Sequence, residues 1–210
     1  WIIHKDIKKI RRHNLIEWAK NEDGSPNLKK IEKFFINYQL SSNNTFITGM
    51  SNGGEICYSL AFDGSNVFKA FAPVAGSVFP NGTINNLFNP NIPAPMFVTH
   101  GYNDNVTFYD GDPNDQFWGP YLGVDTLVDF WINSNSLNNV IIDTFPDFNN
   151  DGNITISKKH FSSLTNNEVW LYAHNNGHNW GDSDIVIEQE IWDFFSLYIN
   201  NSTQVIELNE

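Results

Sequence analysis

Cysteine is almost absent from the chain. Cys57 is the only cysteine in 210 residues, which excludes an intrachain disulfide. It lies among apolar residues of a predicted helix, so we expect a buried, unreactive thiol.

Basic residues are scarce after residue 40. Residues 1–40 hold nine of the twelve lysines and arginines, whereas residues 41–210 hold three lysines against 19 acidic residues. The net charge of −12 argues against a nucleic-acid partner, because such partners are bound by clustered lysine and arginine. The basic stretch at 5–12 could contact a membrane surface or an anionic partner, but the solvated face of a helix also explains it. We predict a basic helical segment over 1–26.

Long apolar runs are also missing. No stretch is long enough to span a bilayer, and the first residues lack the apolar core of a signal peptide. We therefore expect neither a membrane span nor a signal peptide in this sequence. The length and the 40% apolar content suit one domain, assigned to 27–200, with a polar tail at 201–210. The oligomeric state is left open.

Residues 25–61 show the pattern of a helix, a strand, a sharp turn and a second helix. Ser25 and Pro26 suit the start of the first helix. The β-branched and aromatic residues at 45–48 favour a strand that ends at Gly49. Apolar residues then return at helical spacing.

The same alternation continues along the chain. Continuous apolar strands between amphipathic helices predict an α/β fold, with a mostly parallel sheet and helices on both faces. The predicted strands are 68–76, 94–101, 140–145, 153–159 and 168–174, and the predicted helices are 122–136 and 187–198.

Ser51 lies in the sequence Gly-Met-Ser-Asn-Gly, between the first of these strands and its helix. In that context G-x-S-x-G favours a nucleophile, because the glycines permit a sharp, strained turn that exposes the hydroxyl above the sheet. The amide of Asn52 would then point from the helix N-terminus at a developing oxyanion. The alternative is a serine in a structural turn.

A nucleophilic serine needs a base and an orienting carboxylate, and in such sheets these follow it in the order acid, histidine. His174 and His178 both follow the last strand. We favour His178 because it lies in a glycine-flanked loop before the final helix, and His174 would then be packed. Asp104 follows the strand that ends at His100, where the carboxylate is expected, and His100 would support that loop.

Four segments lie along the chain in the order TGMSNGGEICYSLA, APVAG, VTHGYNDNVTFYDG and GHNWG. Together they resemble the secreted polyhydroxybutyrate depolymerase and feruloyl esterase-like branch of the α/β-hydrolases. The similarity is collinear from about residue 27 to residue 199. It implies an α/β-hydrolase fold, an extracellular or periplasmic location, Ser51 as nucleophile, Asp104 as acid, His178 as base, and Trp180 in the substrate cleft.

The front of the chain departs from that family. The family places several strands before the nucleophile, together with a loop that supplies the second oxyanion amide. Here about fifty residues precede Ser51, and none resembles that loop. We therefore predict that the usual N-terminal strands are lacking.

Two further features concern ligands. Residues 147–154 fit the first part of a calcium loop, but Lys158 occupies the place of its bidentate glutamate. Because strands rather than helices flank the motif, we predict a hairpin turn and no metal site. Aromatic residues cluster near the acid and base loops, and Tyr109, Trp118 and Trp180 are candidates to line a substrate cleft.

Together the motifs and the resemblance predict a serine esterase that needs no metal or organic cofactor. The expected substrate is a hydroxyalkanoate polyester or a feruloyl or acetyl ester of a polysaccharide, hydrolysed through an acyl-enzyme. The alternative is a truncated, non-catalytic module that binds polysaccharide or a partner through its aromatic loops. Acyl transfer to a sugar or lipid would use the same triad.

Overall fold

The computed structural model describes residues 2–4, 44–64, 67–80, 93–182 and 184–200. The predicted helix after Pro26, most of the basic N-terminal segment and the polar tail lie outside these residues.

Seven strands form one mixed sheet in the order β1-β2-β3-β4-β7-β6-β5. Strands β2, β3, β4 and β7 run parallel, whereas β1, β6 and β5 are antiparallel to their neighbours. The strands are β1 (Ile2–His4), β2 (Thr45–Met50), β3 (Phe71–Val74), β4 (Met96–Gly101), β5 (Asn139–Thr144), β6 (Thr155–Ser162) and β7 (Thr165–His174).

Within the described ranges, three helices cover the two faces of the sheet: α1 (Asn52–Phe62), α2 (Val124–Ser134) and α3 (Ile187–Ser196). Side chains alternate along each strand, so Val98 of β4 packs with α1 and α2 while Phe97 packs with α3. The arrangement confirms the predicted α/β fold with helices on both faces, although the sheet is mixed rather than mostly parallel. None of the helices in the described ranges is long and apolar enough to cross a membrane.

The segment predicted as a basic helix contains a strand. Strand β1 pairs antiparallel with β2, so that Ile3 lies opposite Phe46. Two isoleucines in a row suit a strand, whereas the lysines that follow favoured a helix. Among the described residues, the sheet has one strand before the nucleophile strand.

Strands β5 and β6 form the predicted hairpin. Their connection contains Asn150 and Gly152, both with positive φ, as turn residues often have. The carboxylate of Asp147 accepts the amides of Asp151 and Gly152, each at 3.1 Å. The turn is therefore closed by its own aspartate.

Cys57 is fully buried in α1. Burial raises the pKa of its thiol to about 12, because the thiolate would lose its hydration. The prediction of a buried thiol is confirmed.

Candidate active site

The three candidate groups follow three parallel strands of the sheet. Ser51 comes directly after β2, Asp104 lies just beyond β4, and His178 lies just beyond β7. Because β2, β3, β4 and β7 are parallel, their carboxyl ends share one edge of the sheet. The fold therefore carries all three groups at the edge where open α/β sheets bind ligands.

Ser51 has a strained backbone, with φ 58° and ψ −124°. Positive φ is uncommon for residues other than glycine and costs conformational energy. The surrounding hydrogen bonds hold this conformation: the Ser51 amide donates to the Val74 carbonyl at 2.9 Å, and its carbonyl accepts the amides of Gly54 and Glu55 at 2.7 and 3.1 Å. A strained, half-buried serine between a strand and a helix is the feature expected of a nucleophile turn.

Two glycines, Gly49 and Gly54, make this turn sterically possible. A Cβ on Gly49 would lie 2.7 Å from the Gly53 carbonyl carbon, and a Cβ on Gly54 would lie 2.8 Å from the Val74 carbonyl oxygen. A Cβ on Gly53 would meet nothing within 4 Å. After Ser51, the position that must be glycine for lack of space is therefore Gly54 and not Gly53, the second glycine of G-x-S-x-G.

Asn52 is the first residue of α1, and its side chain is exposed. The first amides of a helix have no acceptor within the helix and favour negative charge. Across the described ranges, no hydrogen bond engages the Asn52 amide. Its role in an oxyanion hole stays a prediction. Residues 5–43, which precede the nucleophile strand, lie outside the described residues.

Asp104 is buried and fully engaged by donors. Its Oδ1 accepts the amides of Val106 and Thr107, both at 2.9 Å. Its Oδ2 lies 2.7 Å from Nδ1 of His178 and 3.4 Å from Nε2 of His100. Burial alone would raise the pKa of this carboxyl, but the donors outweigh it and hold the pKa at about 2. The group is therefore a carboxylate across the neutral range.

His178 is oriented by this carboxylate. With Nδ1 donating to Asp104, Nε2 keeps its lone pair and can accept a proton. The side chain retains 16% exposure, so the ring remains accessible at the edge of the sheet. Within the described chain, Ser51 Oγ makes no hydrogen bond to His178, as is common in sites without substrate.

The loops that carry Asp104 and His178 pack directly against each other. The amide of Tyr102 donates to the His174 carbonyl at 2.7 Å, and the amide of Asn103 donates to the Asn176 carbonyl at 3.2 Å. The carbonyl oxygens of Asn176 and Gly177 occupy the space that a Cβ on Gly101 would need. The distance between acid and base is therefore set by backbone contacts.

His100 supports the acid loop, as predicted from its position. Its ring is fully buried, and Nε2 lies 2.7 Å from the carbonyl oxygen of Thr107. Because a carbonyl can only accept, Nε2 is the donor. The ring thus contacts both Asp104 and Thr107, the two ends of the Asp104 turn. In the sequence, only the position of His100 at the end of β4 indicated this role.

His174 is a packed residue, as the sequence analysis inferred when it preferred His178. It is fully buried, and neither ring nitrogen has a hydrogen-bond partner among the residues that the structure describes. Gly181 lies against the ring, since a Cβ there would be 2.7 Å from Cδ2 of His174. Burial, followed by the nearby His100, lowers the pKa of His174 to about 4. The ring is therefore neutral, and the loop that carries His178 packs on it through Gly181.

Tyr109 does not line an open cleft. Its side chain is 6% exposed, and its hydroxyl donates to Asp125 Oδ1 at 2.9 Å. Its ring lies 4.5 Å from that of Tyr102, centroid to centroid. The prediction that Tyr109 contacts substrate is not supported, because the ring points into the core and stabilises the acid loop. Sequence position in a loop did not reveal that direction.

Trp118 is 59% exposed, and its neighbour Phe117 is 91% exposed. Asp115 holds both in place, because its Oδ1 accepts the amides of Phe117, Trp118 and Gly119 at 2.9, 2.5 and 3.1 Å. Trp180, in contrast, is half-buried against the core on the α3 face. Trp118 therefore remains a candidate for substrate contact, and most of its ring is exposed. Trp180 also remains a candidate, but less of its ring is exposed.

Oxygens of Asp147, Asp151 and Asp184 lie within 4.8 Å of one another. The first two are exposed, and their hydrogen bonds close the β5–β6 turn. The three carboxylates lie in the loop between β5 and β6 and the segment before α3. The prediction that this motif holds no metal stays a prediction.

No protein-family model matches this sequence, and no curated protein matches it. Among solved structures, an acetyl xylan esterase from Aspergillus awamori resembles the chain with a TM-score of 0.48 at 14% identity, over 83% of this chain and 68% of that chain. A similarity of this degree does not establish a family. The function therefore has to follow from the geometry of the site.

Proposed function

We propose that the protein is a serine esterase in which Ser51, His178 and Asp104 act as a triad. The observation that carries the proposal is the 2.7 Å contact between Asp104 Oδ2 and His178 Nδ1 at the sheet edge that also holds the strained Ser51. A buried carboxylate, an oriented imidazole and a strained serine are the three parts that nucleophilic acyl transfer requires.

The chemistry follows from these parts. Ser51 Oγ attacks the ester carbonyl as His178 Nε2 takes the hydroxyl proton, and the Asn52 amide donates to the oxyanion. The tetrahedral intermediate expels the alcohol, which receives the proton from His178. Water then attacks the acyl-enzyme, again with His178 as base, and releases the carboxylic acid and Ser51.

Two classes of ester remain in view: hydroxyalkanoate polyesters, and feruloyl or acetyl esters of polysaccharides. The exposed Trp118 and Phe117 suit an extended, neutral polymer of either class, because aromatic faces bind both aliphatic chains and sugar rings. Initial rates on a short p-nitrophenyl ester, on polyhydroxybutyrate and on methyl ferulate separate the classes.

A fluorophosphonate probe tests the nucleophile, since it bonds covalently only to an activated serine. Labelling is expected for the native protein and for Ser59→Ala, whose hydroxyl donates to the Glu55 carbonyl within α1. It is expected to vanish in Ser51→Ala. Labelling that persists in Ser51→Ala would exclude Ser51 as the nucleophile.

The same exposed aromatics favour one alternative, a non-catalytic module that binds polysaccharide through the loop around Trp118. This alternative predicts retention on an insoluble polysaccharide with neither probe labelling nor ester hydrolysis. Hydrolysis by the purified chain that is lost in Ser51→Ala excludes it.

A further inference from the structure

Strand β5 is the outer edge of the sheet and is exposed along its whole length. All six of its residues are exposed, including Val140 at 46%, Ile141 at 58% and Ile142 at 62%. Among the described elements, β6 is the only one that pairs with it. Exposed apolar edge strands are rare in isolated chains, which usually protect such edges with lysine, proline or a bulge. Strand β5 has none of these.

The backbone of β5 has a defined outward side. The amide of Phe145 donates to the Thr155 carbonyl at 2.9 Å, so these residues form a hydrogen-bonded pair. Such pairs alternate along an antiparallel ladder, and the register places Ile141 opposite Lys159 in the same phase as Phe145. Odd-numbered residues of β5 therefore bond to β6, and the amides and carbonyls of Val140 and Ile142 point outward.

We infer that β5 is a homodimer interface, at which β5 of one chain pairs antiparallel with β5 of a second copy across a two-fold axis at Ile141. In this register Val140 and Ile142 form hydrogen-bonded pairs with their counterparts, which makes four backbone hydrogen bonds. Ile141 lies opposite itself in the closer, non-hydrogen-bonded type of pair.

The sequence of β5 is complementary to itself in this register but not in the neighbouring registers. Apolar residues meet apolar residues, and Asp143 meets Asn139, with which it can share a hydrogen bond. A two-fold axis one residue later, at Ile142, would place Asp143 opposite Ile141. Pairing with a strand of another protein would not require β5 to be complementary to itself. This complementarity therefore favours a second copy of the chain as the partner.

Charge also favours this strand as the contact. The chain has a net charge of −12, so two copies repel one another over most of their surfaces. Strand β5 contributes one acidic residue, Asp143, and three β-branched apolar residues. It is thus a mainly apolar stretch with a single charge, on which two acidic chains can approach.

Sedimentation analysis of the full chain tests the interface. The native protein is expected to sediment, at micromolar concentration, with twice the 24.0 kDa mass of one chain. Ile141→Lys is expected to sediment as a monomer, because it places two ammonium groups opposite each other at the axis. The matched control is Leu164→Lys, which changes an apolar residue of 82% exposure between β6 and β7 and should remain dimeric.

A cross-link provides a second measurement that does not depend on the folding of Ile141→Lys. Under mild oxidation Ile141→Cys is expected to form a disulfide-linked dimer, because facing residues of this pair type have Cα atoms about 4.5 Å apart. Asp143→Cys should not, since its counterpart is Asn139, and the native Cys57 is fully buried. A monomeric native protein, a dimer that survives Ile141→Lys, or equal cross-linking of both cysteine variants would overturn the inference.

Discussion

Nδ1 of His178 lies 2.7 Å from Oδ2 of Asp104, although the two residues are 74 positions apart. The other carboxylate oxygen is occupied by the amides of Val106 and Thr107. Asp104 therefore cannot rotate away from the imidazole without losing two backbone hydrogen bonds. The ring tautomer at His178 is fixed by the turn that follows β4.

Asp104→Asn tests the electrostatic part of this relationship. The amide keeps the size of the side chain, but it cannot stabilise the imidazolium or fix the Nδ1–H tautomer. We expect kcat for a p-nitrophenyl ester to fall roughly a thousandfold to ten-thousandfold, with KM little changed. Stopped assays across substrate concentrations measure both constants.

The control for this substitution is Asp112→Asn, which alters an aspartate whose Oδ1 accepts the Asn114 amide in an exposed loop. Its kcat should stay within about twofold of the native value. Circular dichroism shows whether Asp104→Asn remains folded. A folded Asp104→Asn protein with native kcat would remove Asp104 from the triad.

The nucleophile turn predicts opposite outcomes at adjacent glycines. Gly54→Ala brings a methyl group against the Val74 carbonyl and should destabilise the protein by about 1–3 kcal/mol. Gly53→Ala meets open space in the first turn of α1 and should be neutral or stabilise by up to about 1 kcal/mol. Urea unfolding measures both changes. Equal losses of unfolding free energy at the two positions would show that the nucleophile turn is not packed against β3 in this way.

Much of the fold could be predicted because its signals are local. Apolar runs with helices between them indicated the parallel strands, and G-x-S-x-G between a strand and a helix indicated where the chain turns. The positions of Asp104 and His178 after their strands then followed from the common edge of a parallel sheet.

What could not be predicted depends on contacts between distant segments. The need for glycine at 54 arises from the backbone of β3, which the sequence around Ser51 does not reveal. Tyr109 is a loop residue in the sequence, and only its contact with Asp125 of α2 shows that the ring is covered. The strand character of Ile2–His4 arises from pairing with β2, against the local signal of a basic segment.

The pH dependence of stability is expected to report on His174. Its pKa is near 6.5 in the unfolded chain and about 4 in the folded protein. Between these values the unfolded state binds more protons, so stability is complete above pH 6.5 and is lost as the pH falls toward 4. The loss amounts to at most about 3 kcal/mol.

His174→Gln removes this titration and should flatten the curve of unfolding free energy against pH between 6.5 and 4. The comparison is His160→Gln, at a half-buried histidine whose pKa is lowered by burial and by Lys158; it should change the slope less. Urea unfolding at several pH values gives the curves. Parallel curves for the native protein and His174→Gln would contradict the assignment.

Asp104 adds a further loss of stability only at lower pH, since its pKa is about 2 in the folded protein and 3.8 in the unfolded chain.

The loop around Trp118 is expected to separate polymeric from small substrates. Trp118 presents a largely free ring on a backbone that Asp115 holds in place, so its loss should not disturb the triad. A bound polymer would cover this ring, and one aromatic contact is worth roughly 1 kcal/mol. We therefore expect Trp118→Ala to raise the apparent KM for a polymeric ester by roughly threefold to tenfold. Its kcat/KM for p-nitrophenyl acetate should remain unchanged, because that substrate occupies only the reacting centre.

The control is Phe148→Ala, which removes another exposed aromatic side chain, 75% exposed on the β5–β6 loop. It should alter neither constant. If Trp118→Ala lowers activity on both substrates alike, the ring supports the site and does not bind polymer.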